Sequence, residues 1–231
     1  MRPALALLIP LVLLLGCMRT LSPGEEKLAA ELFGPTLDPE PVRVAPFTSI
    51  KRVANRRPPR PRVACRERIW PEPEQKEGLV ETFTAAFVTW NRINVNGKLY
   101  QDDFLPDHPE RISLPDAMLI AHEMTHVWQW QNRAVTGYTP QKALSEHEFG
   151  KDPYLITLDD NRRFLDFPFE QQGAIVEEYV CCRMLDPEGA RTKRLHALLS
   201  GAFPVSDLGK RLSGVEVRIP WMDAETEGIC G

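Results

Sequence analysis

The stretch Ala117-Met118-Leu119-Ile120-Ala121-His122-Glu123-Met124-Thr125-His126-Val127-Trp128-Gln129-Trp130-Gln131 decides how this chain is read. Its centre is the pattern HExxH, His122 to His126. At 3.6 residues per turn, histidines four apart lie one above the other on one helical face. Their imidazoles can share one tetrahedral zinc ion. The glutamate between them can take a proton from a water molecule activated there. The spacing therefore predicts a helix. Pro115 suits its first turn, Asp116 suits the positive end of its dipole, and Gly137 is a stop after an uninterrupted run over 116–134. Ala117, Ile120, Ala121, Met124, Val127, Trp128 and Gln131 fall on one broad side that should face the core. His122, Glu123 and His126 fall on another, with Leu119 and Trp130, so packing alone does not account for the histidines.

A third ligand must come from a separate element. The best candidate is Glu170, in Pro168-Phe169-Glu170-Gln171-Gln172-Gly173-Ala174-Ile175-Val176-Glu177. Asp166 can cap this second helix, and Pro168 fits its first turn. Glu170, Ala174, Glu177 and Cys181 share a face, and small Gly173 lets the helix come close to its partner. Glu177 lies two turns on, about 10 Å along the axis. It is thus an alternative ligand, a partner behind the ligands, or an exposed ion-pair residue. His147 sits in a polar stretch and reads as solvated; His196, in a basic one, reads as peripheral.

The chain has 231 residues, enough for one substantial core. Its net charge of −4 argues against a nucleic-acid partner, and its 43% apolar content is that of a globular protein. Residues 1–16 read as a signal peptide: Arg2 is the basic start, and Leu5 to Leu15 is an apolar run too short to span a bilayer convincingly. Leu14-Leu15-Gly16-Cys17 resembles a bacterial lipobox, which implies that Cys17 becomes a lipidated N-terminus. The alternative is a general secretory signal with an incidental cysteine. Both place the protein outside the cytoplasm. By the first, it is anchored in the cell envelope facing the periplasm. The residue after the cysteine is Met18 rather than a retention aspartate, which by analogy favours the outer membrane.

Residues 17–62 read as a tether. A short helical pattern over 21–33 gives way to Pro35, Pro39, Pro41, Pro46, Pro58, Pro59 and Pro61, with Lys51, Arg52, Arg56, Arg57, Arg60 and Arg62 interspersed. The folded domain is then 63–231. Within it, 77–89 reads as helical or mixed. Asn96-Gly97 signals a hairpin between short strands, and 111–114 is a further strand. Beyond Cys17 four cysteines remain, Cys65, Cys181, Cys182 and Cys230. An even number in an oxidising compartment suits two disulfides. Adjacent cysteines bond each other poorly, so Cys181 and Cys182 should pair with Cys65 and Cys230, in either order. A zinc–thiolate cluster is the other reading, but no C-x-x-C pair supports it. Trp128 reads as packing and Trp130 as a wall of the cleft. Tyr138, Tyr154, Tyr179 and His147 are candidates to stabilise an oxyanion.

The runs AHEMTHVWQWQ and EQQGAIVEEY resemble minimal gluzincin-type metallopeptidase-like domains of bacteria, more narrowly the Vgr-associated and injection-system zincins with an HELTHVxQ helix. The resemblance covers roughly residues 90–185. It implies an α+β, zincin-like fold, with the HExxH helix packed on a second, glutamate-bearing helix beside a small mixed sheet. It also implies Zn2+ held by His122, His126 and Glu170, with Glu123 as the general base. Many such proteins carry an aspartate four residues after the ligand glutamate, which orients a ligand histidine. Ala174 stands there, which implies that this support is missing. The expected function is a zinc-dependent hydrolase, a metallopeptidase cleaving protein or peptide substrates in the envelope. Two alternatives stand beside it. One is a weak or inactive zincin-fold lipoprotein with a binding or assembly role, and the other a zinc hydrolase acting on cell-wall cross-links.

Overall fold

A computed structural model describes residues 18–48, 55–158, 162–206 and 215–231. The expected signal peptide and Cys17 lie outside the described residues. The chain is mixed α/β, with small sheets set against a helical core. No helix among the described residues is long and apolar enough to cross a membrane.

The segment expected to be a tether is part of the fold. Ser22 and Glu25 form a reciprocal capping box that opens α1 (Pro23–Phe33), with Pro23 in the first turn. Leu28, Leu32 and Phe33 on α1 are at most 1% exposed, and each such burial stabilises the fold by roughly 1.5–3 kcal/mol. Arg19 forms a two-pronged ion pair with the fully buried Glu25, whose carboxylate also accepts from the Phe104 amide. Strand β1 (Arg43–Phe47) then pairs in parallel with β5 (Arg92–Asn96), which pairs antiparallel with β4 (Ala86–Thr89). The reason for the misreading is partnership. Composition gives a proline- and arginine-rich run, but its strand finds a distant ladder and its arginines find carboxylates. Arg56 meets Glu81, and Arg57 and Arg60 meet Asp152. Lys51 and Arg52 lie outside the described residues.

Strand β2 (Asn55–Arg57) pairs antiparallel with β3 (Val80–Thr82), and the one-turn helix α2 (Cys65–Arg68) lies between them in sequence. The region 77–89 is therefore strand and loop rather than helix. The hairpin joining β4 and β5 turns at Trp90-Asn91, earlier than Asn96-Gly97. Trp90 takes a positive φ of 59°, a strained conformation for a bulky residue. Asn96 instead ends β5 and accepts the amides of Leu99 and Tyr100 through its carbonyl.

Strand β6 (Arg111–Ser113) pairs with β7 (Glu216–Arg218) and runs into α3 (Leu114–Gln131), the HExxH helix. Pro115 lies in its first turn as expected. The run expected to continue unbroken over 116–134 is interrupted at Asn132, whose side chain donates to the Thr36 and Trp128 carbonyls. A separate short helix, α4 (Arg133–Thr136), ends at Gly137, whose φ of 68° is the left-handed cap that glycine takes without penalty. Helix α5 (Pro140–Ser145) follows. A 3₁₀ turn at Phe164–Asp166 then leads into α6 (Phe169–Leu185), and α7 (Ala190–Ser200) follows it. Helices α3 and α6 make the most extensive pairing between elements. Ala117, Ile120, Ala121, Met124, Val127 and Trp128 of α3 are buried as the pattern predicts. Gln131 is not core. It is half-buried, and its amide exchanges hydrogen bonds with the Asp38 backbone.

Cys65 is bonded to Cys181 and Cys182 to Cys230, so both bridges staple α6 to its surroundings. Cys65, Cys182 and Cys230 come close enough together to suggest a metal cluster. Their sulfurs are spent in the two bridges, however, and leave no thiolate to ligate.

Candidate metal centre

Helix α3 presents His122, Glu123 and His126 toward α6, and α6 covers them, so all three are nearly inaccessible to solvent. Glycine at position 173 allows this approach. A Cβ built there would lie 2.6–2.8 Å from three atoms of the His122 ring, inside any real contact distance. The imidazole therefore lies against bare backbone.

Glu170 comes from the first turn of α6 and meets both histidines. The two Nε2 atoms are 3.1 Å apart, and each is 3.3 Å from Glu170 Oε2. Ligands about 2.0–2.1 Å from a tetrahedral zinc ion are themselves separated by roughly 3.3 Å. The triangle fits such an ion, and the donor set of two imidazoles and a carboxylate is a zinc donor set. The first turn of α6 is fixed from outside. Both oxygens of Glu146 accept backbone amides, from Phe169 and Glu170 at 2.9 Å each. Asp166, expected in that role, instead pairs with Arg163, and Pro168 occupies the cap position.

The ring nitrogens facing away from the triangle are held differently. His126 Nδ1 lies 2.8 Å from Gln129 Oε1. Gln129 Nε2 donates to the Phe169 carbonyl and to Gln172 Oε1, and Gln172 Nε2 donates to the Phe167 carbonyl. Carbonyls only accept, so the relay has one polarity. The Gln129 oxygen faces His126, so Nδ1 carries a proton and Nε2 is the nitrogen turned to the triangle. His122 Nδ1 faces Glu177 Oε1 at 3.5 Å, an ion-pair approach, and the other Glu177 oxygen accepts from Arg66 at 2.8 Å. So Glu177, seven residues after Glu170, places a carboxylate near the His122 Nδ1 side, at a distance beyond a formed hydrogen bond.

His147 does not behave as a solvated residue. It is half-buried, and its Nε2 lies 3.1 Å from Glu170 Oε1. The Tyr138 ring stacks on His126, and the Tyr154 ring packs against His122 and His147. Burial and the neighbouring carboxylates push both phenols well above their ordinary range, so both hydroxyls stay protonated. Tyr179 is removed from the site, buried beside Arg183 and His196. His196 reaches the Ser206 carbonyl and does not join the site. The Trp130 ring lies tilted against that of the exposed Trp90, at a 6.5 Å ring separation and one turn beyond His126, and Arg133 lies over the Trp130 ring.

Charge in the site is dominated by carboxylates. Burial disfavours a charged His122, but Glu177 and Glu170 outweigh it and raise its pKa to about 10. Burial opposes ionisation of Glu177 too, yet His122 and Arg66 pull it down to about 2. Glu170 is held well below the usual carboxylate range by His126, His122 and His147, against its burial. Glu123 goes the other way. Burial, only partly offset by the histidines, lifts it to about 7, and its Oε2 finds no hydrogen-bond partner among the described residues. Two imidazoles and a carboxylate gathered this closely could hold a metal ion.

These elements define a buried two-histidine, one-glutamate candidate metal site in a mixed α/β fold. No family model matches the chain, and no curated protein matches it. Among solved structures, the chain is similar to the effector domain of Pseudomonas aeruginosa VgrG2b. That similarity has a TM-score of 0.46 and 22% identity, over 80% of this chain and 84% of that one.

Neither Gln129 nor Glu146 nor Arg66 was singled out by the sequence as part of a site. Gln129 had a signal, since it lies three residues after His126 on the same face. Arg66 and Glu146 had none, because their contacts are set by tertiary placement.

Proposed function

We propose that this chain is a zinc-dependent hydrolase with a zincin-like fold, a metallopeptidase acting on protein or peptide substrates of the bacterial cell envelope. The observation that carries the reading is the triangle of His122 Nε2, His126 Nε2 and Glu170 Oε2, with separations of 3.1–3.3 Å. These residues would hold the ion. When bound, zinc supplies a Lewis acid that polarises a carbonyl and acidifies a water molecule.

Glu123 is the general base. Its carboxylate can take a proton from the attacking water as the C–O bond forms and return it to the departing amine as the C–N bond breaks. The protonated hydroxyls of Tyr138 and Tyr154 are the candidate donors to the oxyanion. His147 holds the outer oxygen of Glu170 and keeps the inner one turned to the histidines. Placement in the envelope, with Cys17 as lipid anchor, is supported by the signal-like residues 1–16 and by two disulfides, which persist in oxidising compartments. A binding role without catalysis is the alternative that Ala174 favours; Glu177, 3.5 Å from His122 Nδ1, puts a carboxylate on that side of the ring and supports the catalytic reading.

The test is hydrolysis of an unfolded protein and of cell-wall peptides by the full-length chain in detergent, wild type against Glu123→Gln. The reading expects zinc in both and cleavage by the wild type alone. Equal inertness of the two zinc-loaded forms on every substrate would argue for a binding protein.

A further inference from the structure

We infer that Arg66 is a positioning residue for the metal centre, holding in place the carboxylate behind His122. The inference rests on the metal-site reading above. Arg66 belongs to α2, only four residues long and too short to hold itself. It is pinned to α6 by three bonds. The amides of Cys65 and Arg66 donate to the two oxygens of Glu178, at 3.0 and 3.1 Å, and Cys65 is bridged to Cys181. Glu178 is fully buried and also pairs with Arg191. Helix α6, which carries Glu170 and Glu177, thus also fixes the backbone that presents their counter-cation.

The Arg66 guanidinium is 3% exposed and engages three groups. One Nη donates to Glu177 Oε2 at 2.8 Å, the other to the Tyr154 carbonyl at 2.6 Å, and Nε lies 2.9 Å from Glu67 Oε1. Two of these groups belong to residues beside His122: Glu177, 3.5 Å from its Nδ1, and Tyr154, whose ring lies tilted against the imidazole at a 5.6 Å centroid separation. The planar fork spans them together, which a lysine ammonium cannot do. Buried ion pairs add little net stability, so stability is a weak reason for placing a guanidinium here. Its geometry has a more specific consequence. Glu177 is still 19% exposed, and without Arg66 its outer oxygen has no anchor against turning to solvent.

The experiment is a double-mutant cycle on the full-length chain in detergent. Zinc affinity is read by chelator competition, site geometry by the visible spectrum of the cobalt-substituted protein, and folding by metal-free thermal unfolding. Arg66→Gln should weaken zinc binding about 10-fold, the low end of the range for partners of ligand histidines and no more than Glu177→Gln itself, and alter the cobalt spectrum. On a Glu177→Gln background the same change should cost no more than about 2-fold, because the group through which Arg66 acts has lost its charge. Arg66→Lys should fall between wild type and Arg66→Gln. Wild-type affinity in folded Arg66→Gln, or losses that simply add, overturns the inference. Should Arg66→Gln not fold, Arg66→Lys decides. Undiminished affinity overturns the inference, and a loss that vanishes on the Glu177→Gln background supports it. A wild type that takes up no zinc removes the metal-site reading as well. A zinc-binding wild type with indifferent Arg66 variants removes this inference alone.

Discussion

The His126 flank and the His122 flank of the motif helix meet the same Glu170 oxygen but are anchored by different chemistry. His126 is held by neutral groups, through Gln129 and Gln172 to the Phe167 and Phe169 carbonyls. That chain is set by short contacts within and between α3 and the start of α6. His122 is held by charge, through Glu177 to Arg66, and lies against bare backbone at Gly173. One flank is a fixed hydrogen-bond relay. The other is an ion pair that works only while its counter-charge stays in place.

The largest expected break is on the charged flank. Gly173→Ala places a methyl where the His122 ring lies, so the ring must move out of the triangle. Zinc affinity should fall at least about 100-fold, at the upper end for changes around ligand histidines. Chelator competition measures it, and wild-type affinity would mean that the two helices can part without cost.

On the neutral flank, Gln129→Leu removes the partners of His126 Nδ1 and of Gln172 Oε1. The expected loss is about 10–100-fold in zinc affinity, together with roughly 1–3 kcal/mol of stability for buried groups left unpaired. Glu177→Gln is milder. The amide keeps the shape and a hydrogen bond but loses the charge, so about a 10-fold loss of affinity is expected, with little change in metal-free stability. If Gln129→Leu proves harmless while Glu177→Gln abolishes binding, the two flanks have been ranked in the wrong order.

Leu32→Ala tests a region outside both flanks. It should destabilise the fold by about 2–5 kcal/mol in denaturant unfolding while leaving zinc stoichiometry unchanged. A tether would show no such cost.

The contrast also explains what could be read from sequence. Helix α3, its first-turn Pro115 and the facing of Glu170 toward the histidines follow from local periodicity and from a short list of possible ligands, whereas the break at Asn132, ahead of the expected stop at Gly137, has no glycine or proline to mark it. The pairing of Cys181 and Cys182 with Cys65 and Cys230 followed from strain, though the order did not. The Arg66 support was hidden because Glu177 and Tyr154 lie more than eighty residues away, and nothing local marks an arginine that will be buried. The region 17–62 was misread for the same reason. Proline and arginine content describes a linker until β1 meets β5 and Arg60 meets Asp152. His147 looked solvated because its neighbours Ser145, Glu146 and Glu148 are polar, yet the loop returns it to Glu170.

The most direct measurement is the metal content of the purified full-length chain after zinc reconstitution, for wild type, His122→Ala, Glu170→Ala and Glu177→Ala. The account predicts near-stoichiometric zinc in the wild type, its loss in His122→Ala and Glu170→Ala, and weakened but detectable zinc in Glu177→Ala. A folded wild type that holds no zinc, or zinc retained in full without Glu170, would contradict it.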